Sequence, residues 1–319
     1  MGTATGGAKS GMSWMTLLAF GIIYFVWGST FLAIRVGVHE VPPLVFAAIR
    51  FVVAGVVLFG YTVARGEKLP NGRQWMGISV LALLIFVGDY GLLFWAEQRV
   101  PSGIAAVMMA TIPVFTALAD IVILRAQRLT VRLAAALVIG LVGVGALTLH
   151  SLSALNLGAA AIDGKGAAML LVASLTWSVA AALSRKVPLP ASKVMSSGAQ
   201  MLAGGLMLTV VALGMGEFGE FHPETVSRGA WFALIYLIVA GSILGFTAYV
   251  WLIHHQSPTK VGTYAYVNPV VAVIVGYFLG GEEIGVRTVV GTACILVSVV
   301  AITTSKSRKV EPVLVAEEG

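Results

Sequence analysis

The sequence predicts an all-α integral membrane protein of ten transmembrane helices arranged as two inverted five-helix repeats. Three observations predict it. Of 319 residues, 58% are hydrophobic and 11% charged, against roughly 25% charged in an ordinary soluble domain. The apolar residues form ten runs of about 20 residues, and at about 1.5 Å rise per residue each run spans a hydrocarbon layer about 30 Å thick. The punctuation of the first five runs recurs in the last five, and five crossings per copy send the second copy into the membrane from the opposite side.

The first run, 14 to 35, follows a short tail (1–13) and is expected to stay as a helix, since it is longer than a signal-peptide core and lacks a small-residue cleavage site. The second, 43 to 64, carries Arg50 at membrane depth, and the third, 75 to 96, carries Asp89. The fourth, 102 to 124, holds Met108, Thr111 and Pro113. The fifth, 131 to 149, is lined by Gly140, Gly143 and Gly145, small residues that let helices approach closely. Residues 14–150 make the first repeat and 151–165 a linker. The second repeat, 166–305, has runs at 166 to 184, 194 to 214, 229 to 252, 260 to 279 and 287 to 305, followed by a polar tail, 306–319. At an offset of 150 Trp27 meets Trp177, Arg35 meets Arg185 and Gly55 meets Gly205; at 156 Trp95 meets Trp251 and Pro113 meets Pro269.

Positive charge orients the bundle. With the N-terminus inside, cytoplasmic segments hold 14 of the 20 Lys and Arg, the other side holds 5, and Arg50 lies within the second helix. Lys and Arg are retained on the cytoplasmic side, so both termini are expected there. The basic residues are scattered among short loops, which argues against a nucleic-acid partner. The single cysteine, Cys294, excludes an intrachain disulfide and a cysteine-based zinc cluster. No Walker-type, His-Glu-x-x-His or Gly-x-Ser-x-Gly motif is present, so neither an ATP-driven pump nor an intramembrane hydrolase is expected. The chain reads as a non-enzyme with no cofactor and no metal.

Ionisable groups at membrane depth cost about 2.5 to 3.5 kcal/mol each on insertion scales and should face water, a partner or a ligand. Asp89 is a candidate cavity group, for an ammonium or a proton, or a structural partner of polar neighbours. Arg50 reads mainly as structural or gating, although its planar donors also suit a carboxylate. The ninth run carries Tyr264, Tyr266, Asn268 and Pro269. Proline frees a carbonyl one turn earlier, which suits a helix that lines a cavity. Tyr264 and Asn268 are four apart and share a face. Trp27, Tyr90, Phe94, Trp177, Phe246 and Tyr249 are candidate apolar walls. The fourth helix, inverted partner of the ninth, carries Met108, Thr111 and Pro113 at equivalent depth as further candidates, with Pro113 and Pro269 as the paired prolines.

The run Trp27-Gly28-Ser29-Thr30-Phe31, the run Ala48-Ile49-Arg50-Phe51, and Pro113 and Pro269 resemble the EamA-type, ten-helix branch of the drug/metabolite transporter superfamily. The resemblance covers essentially the whole chain and is strongest to bacterial exporters of aromatic amino acids. It implies a multi-pass protein of the bacterial inner membrane, with a cavity shared by the two halves and helices five and ten at the periphery. The residues narrow the cargo: one deep cation is too few for a phosphate ester, and the first helix lacks the carboxylate that a lipophilic cation would want. The expectation is a monomer in the lipid bilayer that exports aromatic or other hydrophobic amino acids, or similar neutral or zwitterionic metabolites. A channel or a receptor scaffold would also use ten helices. Protons coupled through Asp89 and simple facilitated diffusion both stand as energy sources.

Overall fold

The computed structural model describes residues 14–123, 130–148, 163–256, 261 and 263–303. The tails at 1–13 and 306–319 and most of the linker expected at 151–165 lie outside the described residues. Among the described residues every regular element is helical. Seven helices among the described residues are long and apolar enough to cross a membrane: α1 (Trp14–Val38), α2 (Pro43–Ala64), α3 (Gly72–Ala96), α4 (Ser102–Ala119), α6 (Gly164–Leu183), α7 (Lys193–Gly214) and α8 (Arg228–Leu252). Three others, α5 (Val131–Thr148), α9 (Tyr264–Gly280) and α10 (Val286–Thr303), contain shorter apolar runs.

Packing follows the inverted repeat. The pairs α2 with α7, α4 with α9 and α5 with α10 each join equivalent helices of the two halves, while α3 packs on α6 as α8 packs on α1. The contact between α2 and α7 is close because small residues face each other: a Cβ on Gly205 would fall 2.6 Å from the backbone nitrogen of Val52. Since lipid tails are as apolar as side chains, such close fit is what holds membrane helices together.

Several helices depart from ideal α geometry where they approach the centre. Ile22–Val26 in α1, Leu83–Gly91 in α3 and Leu237–Leu244 in α8 are wound as π-helix. The last two belong to equivalent helices, and π-turns leave carbonyls available to side chains. Helix α4, expected to be continuous, breaks at Ala110–Thr111 between Ser102–Met109 and Ile112–Val122, and Pro113 falls in the first turn of the second piece. There the missing N–H of proline interrupts nothing. Pro269 lies inside α9.

The loops sort by charge. One end of the bundle, the basic end, carries Arg65, Lys68, Arg73, Arg185, Lys186 and Lys193. The other, the acidic end, carries Glu40, Glu97, Asp163, Glu217, Glu220, Glu224, Glu282 and Glu283, which outnumber its Arg35, Arg99, Lys165 and Arg228.

Candidate functional site

Between the two halves lies a cavity of about 660 Å³. Ser184, Leu189, Ser197 and Gln200 line it toward the basic end, where Ser184 is exposed. Its far limit is set by Ile34, Leu93 and Ala106, all buried. The cavity is therefore reached from the basic end and stops short of the acidic end.

Two aromatic groups face each other across it. From α1, α8 and α9 come Trp27, Phe246, Tyr249 and Tyr264, with Trp27 5.5 Å from Tyr249 and 5.3 Å, edge-on, from Tyr264. From α2, α3 and α6 come Phe51, Phe86, Tyr90 and Trp177, with Phe51 4.6 Å from Tyr90 and Tyr90 6.3 Å from Trp177. Offset and edge-to-face contacts at these distances suit aromatic quadrupoles and fix the rings as rigid walls. The π-wound stretch of α8 helps to hold them: the indole Nε1 of Trp27 donates to Gly241 O at 3.0 Å. Asn268 does the same for α1, its amide nitrogen donating to Ile23 O at 3.1 Å and Tyr24 O at 3.2 Å when turned toward that helix.

Two ionisable groups lie in this wall, Arg50 and Asp89, 3% and 2% exposed. The Nε of Arg50 donates to Ser242 Oγ at 3.0 Å, and the guanidinium lies 4.7 Å from the Phe51 ring and 5.4 Å from Tyr90. A desolvated cation over two rings is held by their negative faces. One donor, Nη1, has no hydrogen-bond partner within the protein, and neither does Oδ1 of Asp89. A buried polar atom without a partner carries a desolvation penalty of about 1 to 3 kcal/mol, which a bound polar ligand would relieve.

Most of the sequence-predicted residues meet here: Trp27, Asp89, Tyr90, Trp177, Phe246, Tyr249, Tyr264, Asn268, Arg50, Pro113 and Pro269 all line the cavity. Four do not. Phe94 is buried behind the wall, in tilted contact with Phe46 and Phe51 and edge-on to Tyr90. Met108 is fully buried in the core; Thr111, at the break in α4, donates to Met108 O at 2.7 Å; Tyr266 packs against the main core. At the break in α4 Met108 and Thr111 are both buried, away from the cavity lining. Sequence reasoning missed Ser242, whose hydroxyl at the middle of an apolar run was the available signal.

The acidic end is closed by hydrogen bonds between the halves. Helices α2 and α4 start behind Pro42 and Pro101, which cap them with no side chain. Their first N–H groups are met instead by carboxylates from the second half. Glu217 accepts from Leu44 N at 2.8 Å, Val45 N at 3.2 Å and Trp95 Nε1 at 3.1 Å. Glu282 accepts from Ser102 N at 2.6 Å and Gly103 N at 3.0 Å, and lies 3.5 Å from Arg35. Each follows a left-handed glycine, Gly216 (φ 78°) or Gly281 (φ 64°), that turns the chain back over the neighbouring helix end. A carboxylate at a helix N-terminus meets orphan donors and the positive end of the helix dipole together.

Arg35 also donates to Val100 O at 2.6 Å, and beside it Glu97, just past the end of α3, is 0% exposed with neither carboxylate oxygen hydrogen-bonded within the protein. Burial first and the Glu282 carboxylate second push Glu97 well above the ordinary carboxylate range, against the pull of Arg35 and Arg50. At the rim Glu40 accepts from the backbone and hydroxyl of Ser227, which hold its carboxyl below that range. Among the described residues no cluster of His, Cys, Asp and Glu could hold a metal ion.

The model of the EamA-like transporter family matches twice, over residues 12–149 and 164–304. The chain is 35% identical over 286 residues to the uncharacterized inner membrane transporter YedA of Escherichia coli K12, covering 89% of each protein. It is 26% identical over 303 residues to the uncharacterized transporter YoaV of Bacillus subtilis, covering 92% of this chain and 99% of that one. One crystal structure superposes with a TM-score of 0.59 at 20% identity, over 94% of this chain and 100% of that chain, and shares its fold.

Proposed function

This chain belongs to the EamA-like transporter family, and from that premise we propose that it exports aromatic and other hydrophobic amino acids across the bacterial inner membrane. Export proceeds by alternating access through the central cavity. The observation that carries the reading is the pairing of two unpartnered polar atoms, Arg50 Nη1 and Asp89 Oδ1, with rigid aromatic walls in one cavity. Arg50 suits the substrate carboxylate, Asp89 the ammonium, and the rings an apolar side chain. The basic end is the cytoplasmic one, because Lys and Arg collect there, so the cavity is loaded from the cytoplasm. The inner-membrane location also accords with the description of YedA.

Counterflow of labelled phenylalanine in liposomes tests it. Saturable exchange is expected, with phenethylamine, which lacks the carboxylate, and hydrocinnamate, which lacks the ammonium, each competing about tenfold worse or more, since an unmet buried polar group weighs heavily. Exchange of other neutral metabolites with no phenylalanine flux would overturn the substrate assignment.

A further inference from the structure

A carboxyl group sealed from solvent beside a second carboxylate is stable only if one of the two is neutral or a cation is shared between them. At the acidic end Arg35 is already engaged, with its Nε on Glu282 and an Nη on Val100 O and, at 3.5 Å, on the backbone oxygen of Glu97. Glu282 is engaged as well, by two N–H groups of α4 and by Arg35. Glu97 has nothing. The other charges packed nearby are Asp163, at the start of α6, which pairs with Arg99 at 3.8 Å; Glu217, which serves α2 and Trp95; and Arg50, whose Nε is bound to Ser242 deeper in the bundle.

We propose that Glu97 is a proton-binding site that governs closure of the acidic end. With the proton bound, Glu97 is neutral, Arg35 is left to Glu282, and Glu282 caps α4 to seal the cavity. When the proton leaves, two carboxylates compete for Arg35, and the new charge is satisfied only by drawing Arg35 away or by admitting water. Either change loosens the cap on α4. Because burial raises the affinity of Glu97 for its proton, the closed form is favoured at low pH and lost as pH rises through the folded-state value. The side from which the proton arrives rests on the orientation proposed above; the site itself does not.

The test needs neither substrate nor orientation. Spin labels are placed at Arg99→Cys and Glu283→Cys, on the loops either side of the seal, in a Cys294→Ser background of the full chain in lipid nanodiscs. Between about pH 5.5 and about pH 8.5 the population of a longer inter-label distance is expected to rise several-fold, whereas E97Q keeps the short distance throughout. A distribution that ignores pH, or an identical pH response in E97Q, would overturn the proposal. Should E97Q fail to fold, Glu97→Asp carries the test. A shorter carboxyl at the same place is expected to keep a pH-dependent transition with a moved midpoint, and an unmoved transition overturns the proposal equally.

Discussion

The two ends of the bundle solve the same problem, the orphan N–H groups of a helix start, in different ways. At the basic end α3 and α7 cap themselves, through the Asn71–Gln74 capping box and through Ser192, which accepts from Met195 N at 3.2 Å. At the acidic end α6 and α8 also cap themselves, through Asp163 and Ser227, but α2 and α4 are capped by Glu217 and Glu282 of the other half. A cap within one segment persists however the halves move. A cap between halves is made and broken with their relative position, so the acidic end is the one whose closure is written into side chains.

The contrast is sharper because the local sequence repeats. Gly66-Glu67 at the basic end and Gly216-Glu217 at the acidic end are 150 residues apart, and both glycines have positive φ, 74° and 78°. Glu217 has three donors, whereas Oε2 of Glu67 is buried without a partner in the protein.

Breaking the acidic end should have the largest effect. Glu282→Ala removes the acceptor for two backbone N–H groups and for Arg35; a hydrogen bond to a charged group contributes about 1.5 to 3 kcal/mol. The balance between closed and open forms is expected to shift by about 3 kcal/mol, or about a hundredfold. The readout is the labelling rate, from the acidic side, of a Leu93→Cys thiol in a Cys294→Ser background. Glu217→Ala should act in the same direction but less strongly, about tenfold, because no arginine loses its partner with it.

Changes at the basic end should leave access alone. Ser192→Ala is expected to lower thermal stability by about 1 kcal/mol, the usual value of an N-cap, with labelling at Leu93→Cys unchanged. Glu67→Gln should alter neither by a measurable amount. Smallest is the rim contact of Glu40. Its depressed pKa means that the stability it lends is present above the ordinary carboxylate value and is lost as pH falls through the folded value. This is opposite in sign to Glu97, and Glu40→Gln should remove that acid-side loss in a pH-dependent thermal melt.

Hydropathy and the Trp, Gly and Pro offsets made the helices and their pairing legible, because burial in lipid demands long apolar runs whatever the neighbours are. Arg50 and Asp89 stood out for the same reason. What the sequence hid depends on which helices meet. Phe94 and Met108 have the residue types of a cavity wall and face the core instead, since winding and the break at Ala110–Thr111 decide their direction. The π-wound stretches have no propensity signature, and the role of Ser242 exists only through Arg50, 192 residues away. Glu217 stands near Glu220 and Glu224 in the sequence, and its role exists only because Pro42 and Pro43 leave α2 uncapped beneath it. The recurrence of Gly-Glu just after an apolar run was the available clue.

The claim that carboxylates of one half hold the helix starts of the other is read most directly by amide hydrogen exchange, comparing the unmodified protein with Glu282→Ala. Amides at the start of α4, Ser102 and Gly103, are expected to be protected in the unmodified protein and to exchange at least about tenfold faster in the variant, while those at the start of α3 stay unchanged. Equal exchange at Ser102 and Gly103 in both proteins would contradict it.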